Sequence, residues 1–156
     1  MHYVPILETL KSYLSHEDVI RCVMSESLNS KNLNGFTSGT LFKEHPLFSI
    51  DRHALRINLY TDELELCNPL GGNKKHKIAV VYFQLGNIGP KHLSSLGIIH
   101  LALVVKWNYV LRVGYSVVFD PLIKDLQSLT NQGIVVKLKR GGGIQSLLWG
   151  SCCALW

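Results

Sequence analysis

The sequence predicts an α+β fold, and three observations carry that prediction. Apolar residues recur at three- and four-residue spacing near the start and again from Leu122 onward, which is the period of a helix. Between those blocks they alternate or run unbroken for a few residues, as strands do. Gly, Pro and Asn clusters separate the blocks. The chain has 156 residues, 47% hydrophobic and 17% charged. That is enough apolar sequence to bury one core, and it excludes a disordered tail.

Residues 3–28 read as helical. Val4, Leu7, Leu10 and Leu14 build one apolar face. Ser15 followed three residues later by Asp18 has the form of a capping box with Asp in place of Glu. A second helix is expected to start there and run through Val19, Ile20, Val23 and Met24. Residues 25–40, rich in Ser, Asn and Gly, read as a loop, and residues 41–50, which contain His45-Pro46, as a short helix or turn. Residues 1–50 thus form an N-terminal helical region with a loop.

From Leu55 to Leu66 the pattern is β, with Leu55, Ile57 and Leu59 alternating with Arg56, Asn58 and Tyr60. After Thr61 the apolar parity switches, which predicts a bulge or a strand covered on both faces. Pro69 and Gly71-Gly72 force a reversal. The nearly unbroken apolar run Ile78 to Leu85 is expected of a central strand. A turn-rich connector, Gly86 to Gly97, leads to a third strand over Ile98 to Val105. Asp120-Pro121 is a good N-cap and first-turn pair, and Leu122, Ile123, Leu126 and Leu129 supply the stripe of a helix that Gly133 ends. Ile134 to Leu138 is a short strand, residues 139–143 a turn, and Leu147 to Trp156 an apolar segment.

Residues 51–156 therefore run β-β-β-α-β. Strands joined by short connections favour an antiparallel meander. Three such strands followed by a helix and another strand open a ribonuclease-H-like fold, here incomplete. The first strand of that fold carries a metal-binding Asp. In this chain the first strand holds Thr61-Asp62-Glu63. A carboxylate in a strand covered on both faces is costly unless something charged pairs with it, so Asp62 leads the candidate residues.

Charge is divided unevenly. Residues 1–70 hold nine acidic and six basic residues, and residues 71–156 hold two acidic and ten basic. The basic half suits a polyanionic partner, with Lys74, Lys75, Lys77, Lys137, Lys139 and Arg140 as the candidate nucleic-acid contacts. The alternative is an ordinary solvated surface. No apolar run approaches the roughly 18–20 residues that span a bilayer, and no motif for a small-molecule substrate is evident. The start, with Glu8 and no basic segment before an apolar run, does not read as a signal peptide. An intracellular protein is expected, the nucleus being one candidate compartment. Cys22, Cys67, Cys152 and Cys153 form neither a metal motif nor a regular disulfide framework and read as free thiols.

Several motifs together resemble a group of DDE-type transposase-derived proteins of animal, notably fish, genomes. They are Tyr3-Val4-Pro5-Ile6, Leu59-Tyr60-Thr61-Asp62-Glu63-Leu64-Glu65, Asn68-Pro69-Leu70-Gly71, Lys75-His76-Lys77, Val81-Tyr82-Phe83, Ile99-His100-Leu101-Ala102-Leu103 and Pro121-Leu122-Ile123-Lys124-Asp125-Leu126. The resemblance covers about Tyr3 to Gly133. It implies that Asp62 descends from the first acid of a catalytic set, with Glu63 as a secondary metal-binding candidate. It further implies Mg²⁺ as cofactor, DNA as partner, and strand cleavage and transfer as the ancestral reaction, because two hard cations around one phosphate need several carboxylates. The sequence departs from the pattern after Gly133. Relatives carry their next acid in an apolar strand, whereas Leu147 to Trp156 holds none and no Asp or Glu follows Asp125. Asp120 and Asp125 are explained by capping and surface roles.

The chain is thus expected to be a truncated transposase-like fragment, inactive as it stands. A non-catalytic basic nucleic-acid-binding module and a pseudogene-like product with no selected role are the alternatives. Gly71-Gly72-Asn73-Lys74-Lys75 reads as a phosphate cradle or a basic hairpin turn. His100 reads as a hydrogen-bonded core histidine rather than a zinc ligand with His76, His92 or Cys67, since none of those spacings makes a close ligand pair. Trp107, Trp149 and Tyr109 are candidate base-stacking rings whose commoner use is packing.

Overall fold

A computed structural model of the chain describes residues 1–24, 36–51, 53–66, 76–88, 96–140, 143–149 and 152–155. In chain order the elements are β1 (His2–Tyr3), α1 (Ile6–Leu14), α2 (Glu17–Met24), α3 (Thr40–Glu44), α4 (Pro46–Ile50), β2 (Leu55–Leu66), β3 (His76–Leu85), β4 (His100–Lys106), α5 (Trp107–Val113), α6 (Tyr115–Gln132), β5 (Ile134–Arg140), β6 (Gly143–Trp149) and β7 (Cys152–Leu155). The fold is α+β, as the sequence predicts.

The main sheet has five strands in the order β1-β4-β3-β2-β7. Its first four are antiparallel to their neighbours, and β7 runs parallel to β2. The start of the chain is thus a strand, not a helix: the Val4 N–H extends β1 by donating to the Ala102 carbonyl at 2.8 Å. Helix α1 follows because Ile6, Leu10 and Leu14, four residues apart, are all fully buried against the sheet. The expected capping box does not form. Ser15 is instead the C-cap of α1, and its hydroxyl donates to the Ser12 carbonyl at 2.6 Å. Helix α2 buries Ile20 and Val23. The expected loop over residues 25–40 lies outside the described residues as far as residue 35. At His45-Pro46 the chain breaks into two short helices, the second begun by Pro46 with His45 Nδ1 accepting from the Leu47 N–H at 3.2 Å.

The boundaries of β2 are those the alternation predicts, and its pairing with β3 is continuous from Ile57↔Leu85 to Leu66↔His76. The parity switch after Thr61 is therefore neither a bulge nor a doubly covered strand. Residues 60–65 are exposed, so apolar parity has no core to answer to there. The irregularity sits one strand over, between β3 and β4, where Val81 pairs with Leu103 and Tyr82 with Leu101.

The helical block after β4 departs most from expectation. Helix α6 begins at Tyr115, so Asp120 and Pro121 lie inside it rather than capping it. Pro121 leaves the Val117 carbonyl without its helical donor. Asp120 instead pairs with Lys124 at 2.8 Å on the exposed face. The break that starts α6 is Gly114, with φ +85°, a conformation that would strain any residue bearing a Cβ. Gly133, at φ +70°, ends the helix where the sequence predicts. The buried stripe is Val118, Leu122, Leu126 and Leu129, and Ile123 is largely exposed.

Strands β5 and β6 form a separate antiparallel hairpin, so the strand after α6 does not enter the main sheet. The apolar tail is divided: its first part is in β6, and Cys152–Leu155 returns to the main sheet as β7. One core joins α1, α2, α6, β5 and the covered face of the main sheet, and Phe42, Phe48 and Ala54 make a small second cluster with Phe36. No helix among the described residues is long and apolar enough to cross a membrane.

Candidate functional site

Asp62 and its neighbours sit at the far end of β2, beyond the four residues, Leu55 to Asn58, that pair with β7. Strand alternation assigns the faces. Thr61 and Glu63 share the helix-covered face with their cross-strand partners Val81 and Ala79, and Asp62 pairs with Val80. One Asp62 carboxylate oxygen, Oδ1, accepts the Glu63 N–H at 2.8 Å. All three residues are exposed, so the expectation of a buried acid is corrected: Asp62 lies where the sheet runs past its cover. Arg56 is no partner for it. That residue is six positions back on β2, nine-tenths buried, with its guanidinium 4.4 Å above the Phe36 ring.

Thr61, Asp62 and Glu63 form the rim of a cleft of about 320 Å³. Its floor is Ala79, Val81, Leu103 and Val105 of the sheet, and its far wall is Trp107, Val110, Tyr115 and Phe119 of α5 and α6. Gly114 makes this wall possible, since its left-handed backbone folds α5 and α6 so that Trp107 meets Tyr115 edge-on at 6.2 Å. Tyr115 and Phe119, one helical turn apart, continue the row at 6.1 Å. Trp107 thus lines a cleft rather than standing free for base stacking, and Tyr109 packs against the core with Arg112 at 5.3 Å above its ring. Tyr115 and Phe119 were not evident as site residues. Their four-residue spacing was the available signal, obscured by the Asp120-Pro121 pair that read as a helix start.

These residues do not fit a magnesium ion on their own. Mg²⁺ asks for oxygen ligands converging in near-octahedral geometry. Asp62 and Glu63 are consecutive in a regularly paired strand, so their carboxylates leave on opposite faces. Among the described residues no group of three or more His, Cys, Asp or Glu could hold a metal.

Of the basic candidates, Lys77 and Lys137 have described side chains. Lys77 pairs across the strands with Glu65 at 3.2 Å, and Lys137 is exposed on the β5–β6 hairpin. Lys74 and Lys75, with the Gly71-Gly72 turn, Cys67 and His92, lie outside the described residues. Lys139 and Arg140 are placed in β5 by backbone only, and the side chains of Cys152, Cys153 and Trp149 are likewise outside what is described. Asp125 has a structural use: one of its carboxylate oxygens accepts the Tyr3 hydroxyl at 2.6 Å and ties β1 to α6. Burial first, and this bond second, hold the Tyr3 hydroxyl far above the ordinary phenol range.

His100 is half-buried at the start of β4, but the expected hydrogen bond is not made. Its Nε2 is buried without a partner among the described residues, and its ring lies 4.5 Å from Tyr13 and 5.2 Å from Phe83. Burial pushes its pKa below the ordinary 6.5. The unfolded chain therefore takes up this proton first as pH falls. The contribution of neutral His100 is complete above about pH 6.5 and is lost as pH drops toward the folded-state value. We expect the urea midpoint of the parent protein to fall between about pH 7 and pH 5, and less steeply in His100→Leu. Identical slopes in the two proteins would refute this assignment.

Comparison with models of protein families, with curated proteins and with solved structures found no match to this chain.

Proposed function

We propose that the chain is a transposase-derived domain of ribonuclease-H-like type whose ancestral chemistry was metal-dependent DNA strand cleavage and transfer. In this reading Asp62 marks the place of the first catalytic acid, and the described residues hold no competent metal centre. The observation that carries the proposal is the placement of β7. Two acids that share a metal pair must project into one pocket, and neighbouring strands are one arrangement that brings them there. β7 lies parallel to β2 on the side opposite β3, and its direction is toward Asp62. A strand extended that way would run alongside the Asp62 carboxylate. The three antiparallel strands β2, β3 and β4, followed by α6 and the parallel return, support the same reading.

The proposal is tested at two points. Nuclear Overhauser contacts between Arg56 and the Cys153-Ala154 segment should report the parallel pairing, and their absence would remove its basis. Incubation of supercoiled plasmid with Mg²⁺ or Mn²⁺ should give no nicking above background, in the parent or in Asp62→Asn. Metal-dependent cleavage that vanishes in Asp62→Asn would show instead that the chain is a working nuclease.

A further inference from the structure

We propose that the cleft between β2 and the α5–α6 corner binds a small organic cation, an ammonium group carrying an apolar substituent. This inference goes beyond the ancestry of Asp62 and does not depend on it. The cleft, at about 320 Å³, is at the lower end of the size range of ligand sites. Its lining is mostly apolar, with Ala79, Val81, Leu103 and Val105 at the floor and Trp107, Val110, Tyr115 and Phe119 at the wall. Such a lining suits an alkyl or aryl group better than a polar one.

The charge at the rim selects the sign of the ligand. Glu63 projects on the cleft side of β2, and its carboxylate makes no hydrogen bond or ion pair among the described residues. Asp62 is beside it, and no lysine, arginine or histidine is among the described residues that line the cleft. Nearby Glu65 is already matched by Lys77. An anion would meet the Glu63 carboxylate with no cationic side chain among the described lining residues to offset it, and is disfavoured on that ground.

The aromatic wall points to an organic cation rather than a metal. Trp107, Tyr115 and Phe119 present successive rings opposite Glu63, and Tyr115 is 58% exposed, so ring surface remains uncovered. Aromatic faces attract ammonium groups through their quadrupole, and a carboxylate opposite adds direct Coulomb attraction. A hard metal ion would gain nothing from this wall.

Benzyltrimethylammonium is a suitable probe, with benzyl alcohol as its neutral counterpart and phenylacetate as the anionic one. Titration followed by protein NMR should give a dissociation constant of about 1 mM or tighter for the cation, corresponding to about 4 kcal/mol. The neutral and anionic compounds should bind at least about tenfold more weakly. Glu63→Gln and Tyr115→Leu both alter exposed positions, so folding is retained and checked by circular dichroism. Each should weaken the cation by about threefold to tenfold. No binding of the cation by the folded parent, equal binding of benzyl alcohol, or affinity unchanged in both variants would each overturn the proposal.

Discussion

Phe83→Ala is expected to lower the free energy of unfolding by about 3–5 kcal/mol, the largest loss of any single substitution considered for this chain. Phe83 is completely buried on the central strand β3, facing Leu59 of β2 on one side and His100 of β4 on the other. Its ring lies 5.2 Å from His100, whose second ring neighbour is Tyr13 of α1. Truncation therefore opens a cavity where sheet and helix meet, and β3, hydrogen-bonded on both edges, has little freedom to collapse into it. Urea denaturation should show a lower midpoint with an unchanged slope. The same change lets water approach His100, so its titration, followed by NMR, should move upward toward the ordinary value. A domain with a total stability of about 5–15 kcal/mol could lose its fold altogether, and Phe83→Leu then gives a milder test of the same packing. A cost below about 1 kcal/mol for Phe83→Ala would show that this ring does not hold the core.

The elements that the sequence discloses are those whose core face runs without interruption. Strand β2 alternates cleanly from Leu55 to Leu59 and β3 is nearly unbroken apolar from Ile78 to Leu85, so type and near-correct boundaries follow from periodicity. The start of α6 was hidden because Asp-Pro is a sound local signal for a helix start. Tertiary packing overrides it here, with Val118 fully buried four residues before Leu122. The divided tail was hidden for another reason. β6 pairs with its sequence neighbour β5, whereas the partner of β7 lies far away in β2, and no local pattern encodes which sheet a strand will join. The site was legible only in part. Asp62 could be singled out as an acid in a strand, but its exposure depends on where its cover ends, a property of the whole sheet. The aromatic wall was illegible because Gly114, not any feature of Trp107 or Tyr115, turns α5 and α6 toward one another.

Asn87→Ala is expected to cost about 2–4 kcal/mol, although Asn87 lies in a turn that reads from sequence as a plain connector. The Asn87 side chain is 3% exposed and clamps the start of β2. Its Oδ1 accepts the Arg56 N–H at 2.6 Å, and its Nδ2 donates to the Ala54 carbonyl at 3.0 Å. The preceding Gly86 N–H completes the clamp by donating to the Arg56 carbonyl at 2.7 Å. The register pairing of β2 with β3 ends at Ile57↔Leu85, and this turn carries the ladder on to Ala54 through the Gly86 amide and the Asn87 side chain. Alanine would leave a donor and an acceptor buried without partners, and each such orphan costs about 1–3 kcal/mol. Asn87→Asp separates the two halves of the clamp. It keeps an acceptor for Arg56 but sets an oxygen against the Ala54 carbonyl, so it too should destabilise the protein, by about 1–3 kcal/mol. The effect should be local as well as global. Arg56 also pairs with Cys153 of β7, and hydrogen exchange at Arg56 and along β7 should quicken in Asn87→Ala even under conditions where the protein remains folded. Unchanged exchange at these amides, with a stability loss under about 0.5 kcal/mol, would mean that water replaces the Asn87 amide without penalty and that the start of β2 is held by its neighbours alone.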